Sequence, residues 1–499
     1  MPENKTYGQI LKSSAIIGGS SLVNIGIGVI RTKFMAILLG PSGVGLMGLY
    51  SSITDLAINI AGMGINSSGV RQIAAATGSG ETNRIARTVV VLRRISIVLG
   101  IVGAVFLAAL SWQIADLTFG THERAAAVAL LSLAVLFRLV SAGQGALLQG
   151  MRHISDLAKM NMLGAAFGAV ASIVFVYSWQ EDGVVLALVS IAGMSVVTSW
   201  WYSKKVQIQS PIMTGSEIKE ETAALLKLGF AFMASGFLMM GASYAVRTMV
   251  IRMVSLEAAG YYQAAWTLGG LYVGFILQAM GADFYPRLTG VARDNALCNR
   301  LVNEQTQVSL LLAGPGVIAT LVFAPLVTTL FYSAQFQAAV EVLHWICLGA
   351  ALRVITWPMG YIIVAKGEQT IFFWAEVAWT VVNIGLSWIC IESFGLTGAG
   401  IAFFGSYVFH AILIYPIVRH LSGFRWSAEN HHIGLLFLFL FAAVFCGMYL
   451  LPPPAATVAG TLAVILSGIH SIRALTTLAP PDWIPQPLAW LFARLRFLR

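Results

Sequence analysis

Four arginines stand inside apolar runs that are too long for a soluble core helix. Arg31 lies in VIRTKFMAILLGPSGVGLMGL, residues 29–49, and Arg247 in AVRTMVIRMVSLEAAGYYQAAWTL, residues 245–268. Each is followed by Thr and, further on, by a turn of small residues. The two are 216 positions apart; Arg71 and Arg287 are also 216 apart, and Arg138 and Arg353 are 215 apart. A guanidinium in the middle of a membrane helix costs about 2.5–3.5 kcal/mol on insertion scales, so a set of them at one offset calls for a chemical use. Forked N–H donors match the paired oxygens of a diphosphate, and that is the chemistry this set suits best. Arg31, Arg247, Arg353 and Arg138 are therefore the candidate diphosphate-binding residues.

Other polar residues recur at helical spacing beside them. Ser13, Ser20, Asn24 and Arg31 share one face, as do Ser51, Asp55, Asn59, Gly62 and Asn66. Arg138, Ser141, Gly145 and Gln149 form a third stripe. Ser235, Ser243 and Arg247 form a fourth, and Glu376, Thr380, Asn383 and Ser387 a fifth. In lipid, such stripes must face other helices or a water-filled cavity, so Asn24, Asn59, Ser243 and Asn383 are candidate cavity-lining residues. Arg31 lies nine residues from the Gly40 turn, about 13 Å along a helix at 1.5 Å per residue. Six intramembrane cations (Arg31, Lys33, Arg138, Arg247, Arg252 and Arg353) face three carboxylates, Asp55, Asp283 and Glu376. The surplus favours an anionic ligand. The carboxylates are the candidates for coupling to a proton or sodium ion, with charge balance as their plainer use.

The scaffold for these residues follows from composition. Of 499 residues, 58% are hydrophobic and 10% charged, with a mean hydropathy of +0.81. Apolar segments of about 20 residues recur between short polar breaks, as in a polytopic membrane protein. The pattern predicts an all-α chain of 14 transmembrane helices: a 1–210 lobe of helices 1–6, a 211–426 lobe of helices 7–12, two extra helices in 427–478, and an amphipathic cytoplasmic tail, 479–499. The polar stretch 204–222 separates the two six-helix repeat bundles. Basic residues concentrate in alternate loops, which places both termini in the cytoplasm. The external loops are too short to hold a catalytic domain, so no enzyme and no catalytic residue is expected.

Several motifs carry less than they promise. Gly43, Gly45 and Gly48 fit GxGxxG, yet they follow a membrane helix and no strand, so they read as turn and packing glycines. Four scattered cysteines and the His431–His432 pair suggest neither a disulfide framework nor a metal site. Pro358 and Pro315 are expected to break or kink their helices.

LLGPSGVGL (38–46), LFYSAQF (330–336), GYIIVAKG (360–367) and AEV (375–377) resemble the lipid-linked oligosaccharide flippases of the multidrug/oligosaccharidyl-lipid/polysaccharide exporter superfamily, the polysaccharide transporter branch above all. The resemblance covers about residues 8–420 and is greatest to the O-antigen and enterobacterial-common-antigen translocases. It implies two V-shaped lobes, a basic functional residue at Arg353, and transfer of an undecaprenyl-diphosphate-linked sugar repeat unit across the bacterial inner membrane by alternating access. It also implies a lipid bilayer and such partners as a polysaccharide polymerase and chain-length proteins, with no nucleic acid, no metal and no cofactor beyond a coupling ion. Two extra helices depart from the usual twelve and resemble the peptidoglycan-precursor flippases, which keeps that lipid-linked precursor as an alternative. A drug or organic-cation antiporter of the same superfamily would call for an acidic, aromatic cavity instead.

Overall fold

A computed structural model describes residues 3–79, 81–206, 211 and 213–478; the tail 479–499 lies outside the described residues. No strand occurs among the described residues, and the elements are helices throughout. In order these are α1 (Glu3–Gly62), α2 (Ile65–Ser79), α3 (Thr82–Ala109), α4 (Ser111–Phe119), α5 (Ala125–Gly150), α6 (Ile154–Trp179), α7 (Gly183–Ser203) and α8 (Gly215–Met253). They continue with α9 (Leu256–Gly290), α10 (Asn295–Val322), α11 (Ala324–Phe331), α12 (Ala339–Ala365), α13 (Gln369–Phe394), α14 (Leu396–Ser422), α15 (Ala428–Leu450) and α16 (Pro453–Leu478).

Among the described residues, eleven segments are long and apolar enough to cross a membrane. Two of them, Gly19–Gly62 (44 residues) and Ile154–Ser203 (50 residues), reach twice the roughly 20 residues of one crossing. Each holds an internal break. Gly40 has left-handed φ (65°), a conformation glycine adopts without steric cost. Pro41 follows as a first helical residue that needs no backbone donor. In the second segment a 3₁₀ turn, Gln180–Asp182, separates α6 from α7. The chain is a multi-pass membrane protein.

The sequence predicts one helix over 43–70, but the structure divides it. Met63 (φ 45°) and Gly64 (φ 64°) both turn left-handed and start α2 on a new axis. Gly229 of α8 lies directly against this corner, where a Cβ on either Gly64 or Gly229 would overlap the other's backbone region. At the prolines the helices are not broken. Pro358 lies inside a continuous α12 and Pro315 inside a continuous α10. In α10 the flanking glycines serve packing: Gly314 takes the ring of Phe437 and Gly316 the ring of Tyr272. The Tyr272 hydroxyl donates to the Leu312 carbonyl at 2.8 Å. That contact fastens α9 to the proline-bearing stretch.

The chain forms two compact units, Met1–Gly260 with Phe331–Ser333, and Tyr261–Leu330 with Ala334–Arg499. This grouping differs in kind from the repeat-based lobes: it puts α8 with α1, α2, α3 and α4, the helices on which α8 packs. The core of the first unit is built on Met35, Leu46, Tyr50 and Ile53 of α1 with Leu131, Val135 and Leu139 of α5. In the second, Asn303 ties α10 to the connection after α14. Its amide donates to the Arg425 carbonyl (3.0 Å) and its Oδ1 accepts from the Ser427 amide (2.8 Å). Ser427 in turn caps α15 by accepting from the Asn430 amide.

Candidate functional site

The first unit holds a polar chamber of about 280 Å³ lined by Asp55, Asn59 and Asn66 from the α1–α2 arm, Ser96 of α3, Arg138 of α5 and Met240 of α8. Small residues make the space: Gly62 and Gly64 on one wall, Gly143 on another. The Arg138 guanidinium donates to Asp55 Oδ1 at 2.6 Å, with both side chains about half exposed. A pair with that exposure is screened by water and contributes about 0–1 kcal/mol to stability. Its larger effect is on the chamber's charge, because Asp55 neutralises Arg138 in this state. The Asn59 Oδ1 and Ser96 Oγ atoms are buried with no partner among the described residues. Such groups cost about 1–3 kcal/mol each when unsatisfied. A hydroxyl-rich ligand would supply what they lack, donating to the Asn59 oxygen and pairing with the Ser96 hydroxyl.

Arg31 is half-buried on the first arm of α1, and its Nε meets no acceptor among the described residues. Arg138 lies near enough for its charge to act on it, and the Tyr332 phenol is a neighbour as well. The structure thus brings two of the four predicted arginines, and one carboxylate, into one electrostatic neighbourhood. Asn24, one face up from Arg31, also has a buried Oδ1 without a partner. Arg247 is buried and donates to the Ser243 carbonyl (3.2 Å) and to the Ser243 hydroxyl one turn earlier. Ser243 therefore steadies Arg247 on its own helix. Arg252, counted among the intramembrane cations, instead donates to the Asp116 carbonyl at the end of α4 (3.2 Å) and lies against Gly120.

Arg353 belongs to the second unit, on α12. Its charge acts on Tyr407 and His410 of α14, and Glu376 of α13 acts on Tyr407 as well. Trp379, Tyr407 and His410 form an aromatic cluster, with ring centroids 5.9 Å apart for Trp379–Tyr407 and for Tyr407–His410. Buried polar atoms without partners gather here: Trp379 Nε1, Thr380 Oγ1 and His410 Nδ1. Asn383 and Ser387 are buried further along α13. The Asn383 amide reaches Ser406 Oγ of α14 at 3.5 Å, the outer limit of a hydrogen bond. Of the stripe Thr380–Asn383–Ser387, Asn383 thus meets α14, and Ser387 reaches back to Asn383 on its own helix. Of Asp283 only the helical backbone is described; its side chain lies outside the described residues.

Sequence reasoning missed Ser96, His410, Tyr407 and Trp379. His410 had a usable signal, a lone imidazole in the apolar segment SYVFHAILIY. Ser96 had none, since a single serine in an apolar helix is ordinary. Among the described residues no cluster of three or more histidines, cysteines or carboxylates could hold a metal ion.

Comparison with known proteins gives this arrangement a context. Residues 34–341 match the family described as polysaccharide biosynthesis protein. The chain is 22% identical over 409 residues to the lipid III flippase of Escherichia coli (strain K12), covering 80% of this chain and 95% of that protein. It is 20% identical over 416 residues to the probable low-salt glycan biosynthesis flippase Agl15 of Haloferax volcanii, covering 81% and 82%. In fold it is similar to the lipid II flippase MurJ in an inward closed conformation, with a TM-score of 0.62 at 12% identity over 94% of this chain and 99% of that one. It is also similar to an inward-facing multidrug resistance MATE transporter, with a TM-score of 0.61 at 18% identity over 81% and 98%. These relatives are flippases and transporters, not enzymes. The family match spans more than half of the sequence, and the chain belongs to the polysaccharide biosynthesis protein family, in the fold of the multidrug/oligosaccharidyl-lipid/polysaccharide exporter superfamily.

Proposed function

We propose that the protein is a lipid-linked oligosaccharide flippase. It moves an undecaprenyl-diphosphate-linked repeat unit, that of O-antigen or a related surface polysaccharide, from the cytoplasmic to the periplasmic leaflet of the bacterial inner membrane. The observation that carries this reading is the set of basic and amide side chains held inside apolar helices, Arg138 and Asn59 lining one chamber and Arg31 within electrostatic reach of Arg138, in a chain whose relatives are glycan flippases. Guanidinium groups would bind the diphosphate, and amides and hydroxyls the adjoining sugar. In this reading both termini are cytoplasmic, the lobes 1–210 and 211–426 work by alternating access, and Arg247 and Arg353 are further candidates for head-group binding. A proton or sodium ion resets the cycle. Polymerase and chain-length proteins act on the delivered product.

Lipid extracts of a strain lacking the protein test this. Mass spectrometry should show accumulation of a diphosphate-linked oligosaccharide that reintroduction of the gene clears. Arg31→Ala, Arg247→Ala and Arg353→Ala, at normal membrane levels, should each fail to clear it. Arg→Lys should clear it in part, because lysine keeps the charge and loses the fork. Normal clearance by all three alanine variants would move head-group binding elsewhere. Accumulation of the peptidoglycan precursor would reassign the substrate.

A further inference from the structure

The helix that lines the polar chamber has a second, dry side. Asn59 and Gly62 of α1 border the chamber, whereas their neighbours Ile60 and Ala61 border an apolar groove of about 440 Å³. Small-molecule sites commonly occupy about 300–1,000 Å³. The far wall comes from α3 and α4. Val102, Phe106 and Leu117 there are 57%, 62% and 60% exposed, so the groove opens outward to lipid. Gly103 sets its floor: a Cβ would overlap that of Ala61, and without one α1 and α3 meet closely. The one polar group on the lining, the Tyr244 hydroxyl, is engaged with Thr118 at 2.6 Å. Nothing polar on the lining is left unpaired, while one helix turn away the chamber presents Arg138 and unpartnered amide and hydroxyl oxygens.

We propose that this groove holds the polyisoprenoid chain of the same molecule whose diphosphate the chamber binds, so that the lipid straddles the last turn of α1, residues 59–62. The inference rests on the flippase reading above. Polarity and adjacency select the occupant: the chamber offers the Arg138 donors, which a diphosphate would take over from Asp55, the groove suits an apolar chain, and adjacent residues of one helix border both. Chain transfer from bilayer to groove exchanges one apolar medium for another, so packing, and not the hydrophobic effect, must hold it. The consequence to look for is therefore a defined position of the chain.

The experiment uses the whole protein in nanodiscs of phosphatidylethanolamine and phosphatidylglycerol. Its probe is a polyprenyl-diphosphate monosaccharide carrying a photoreactive group in the chain. Adducts should map to residues 56–63 and 99–107. Unlabelled undecaprenyl diphosphate should suppress them at least about tenfold, and added phosphatidylglycerol at equal concentration should not. Val102→Asn and Phe106→Gln, both at outward-facing positions, should lower groove adducts by about fivefold or more. The same two variants should bind a water-soluble dimethylallyl-diphosphate sugar as the parent does. Adducts confined to α15 and α16, or equal competition by phosphatidylglycerol, would overturn the groove while leaving the head-group site standing. Failure of the parent to bind the short-chain analogue would overturn the head-group reading and the groove with it.

Discussion

In the proposed flippase reading, an arriving diphosphate and Asp55 compete for the Arg138 guanidinium. A carboxylate at 2.6 Å occupies donors that a diphosphate would need. Asp55→Asn removes the charge and keeps the shape, so affinity for a short-chain diphosphate sugar should rise about threefold to tenfold, a gain of about 0.7–1.4 kcal/mol. Arg138→Ala should lower it by at least about tenfold. Calorimetry on purified protein reads both, and an unchanged affinity in Asp55→Asn would show that the ligand does not displace the carboxylate. Thermal stability should change little in Asp55→Asn, because the pair is half exposed. At this scale the sequence showed much: the arginines announced themselves by burial in apolar runs and a shared offset. It did not show partners. A polar stripe tells which face of its helix is wet, but Asp55 and Arg138 are 83 residues apart, and only packing decides which stripes meet.

Among the elements, the corner between α1 and α2 carries the most constraint. Gly64 needs left-handed φ, which costs a residue with a Cβ about 1–2 kcal/mol. Its Cβ would also overlap the backbone of Gly229. Gly229 is itself helical, so its role is purely close approach. Gly229→Leu should therefore drive α8 off the α1–α2 corner and lower the apparent melting temperature in detergent by several degrees, as expected for a loss of about 1–3 kcal/mol from overpacking. Gly241→Ala on the same helix, where a Cβ meets nothing within 4 Å, should leave it unchanged or raise it. Equal melting temperatures for the parent and Gly229→Leu would show that the crossing is slack. Hydropathy could not reveal this corner, since the apolar pattern runs through it and the sequence holds 49 glycines. At Pro358 and Pro315 the expected alternatives were a break or a kink, and there is no break: proline removes one backbone bond, and α12 and α10 run through it. The helical class itself was legible, because apolar runs of bilayer length have few other uses.

For the whole molecule the open question is what resets the cycle. A ligand shifts a two-state balance only through unequal interaction with the two states, so in the proposed cycle the reset after release of the lipid is driven either by a coupled ion or by withdrawal of the product. In the second unit, Glu376 shares its surroundings with Arg353, Tyr407, His410 and the unpartnered atoms of Trp379 and Thr380. The oxygen stripe that would suit a sodium ion faces α14: Asn383 reaches Ser406, and Ser387 reaches Asn383 at 3.5 Å. What remains around Glu376 is rich in groups that carry protons, a carboxyl, an imidazole and a phenol. This composition favours a proton over a metal cation as the coupled ion. Proteoliposomes loaded with a fluorescent lipid-linked sugar should then flip faster under an imposed proton gradient, and a sodium gradient of equal size should have no effect. Glu376→Gln should abolish the acceleration and leave the gradient-free rate within about twofold of the parent. His410→Gln should reduce the acceleration without abolishing it, because the imidazole lies beside the carboxyl's neighbour Tyr407 and not on α13 itself. Sodium dependence would return the Thr380–Asn383–Ser387 face to consideration. Gradient-independent flipping in the parent would remove ion coupling and leave product withdrawal on the periplasmic side as the driving step. A parent-like response in Glu376→Gln would clear this cluster and turn attention to Asp55, whose release from Arg138 by the arriving diphosphate would itself free a carboxylate to take up the proton.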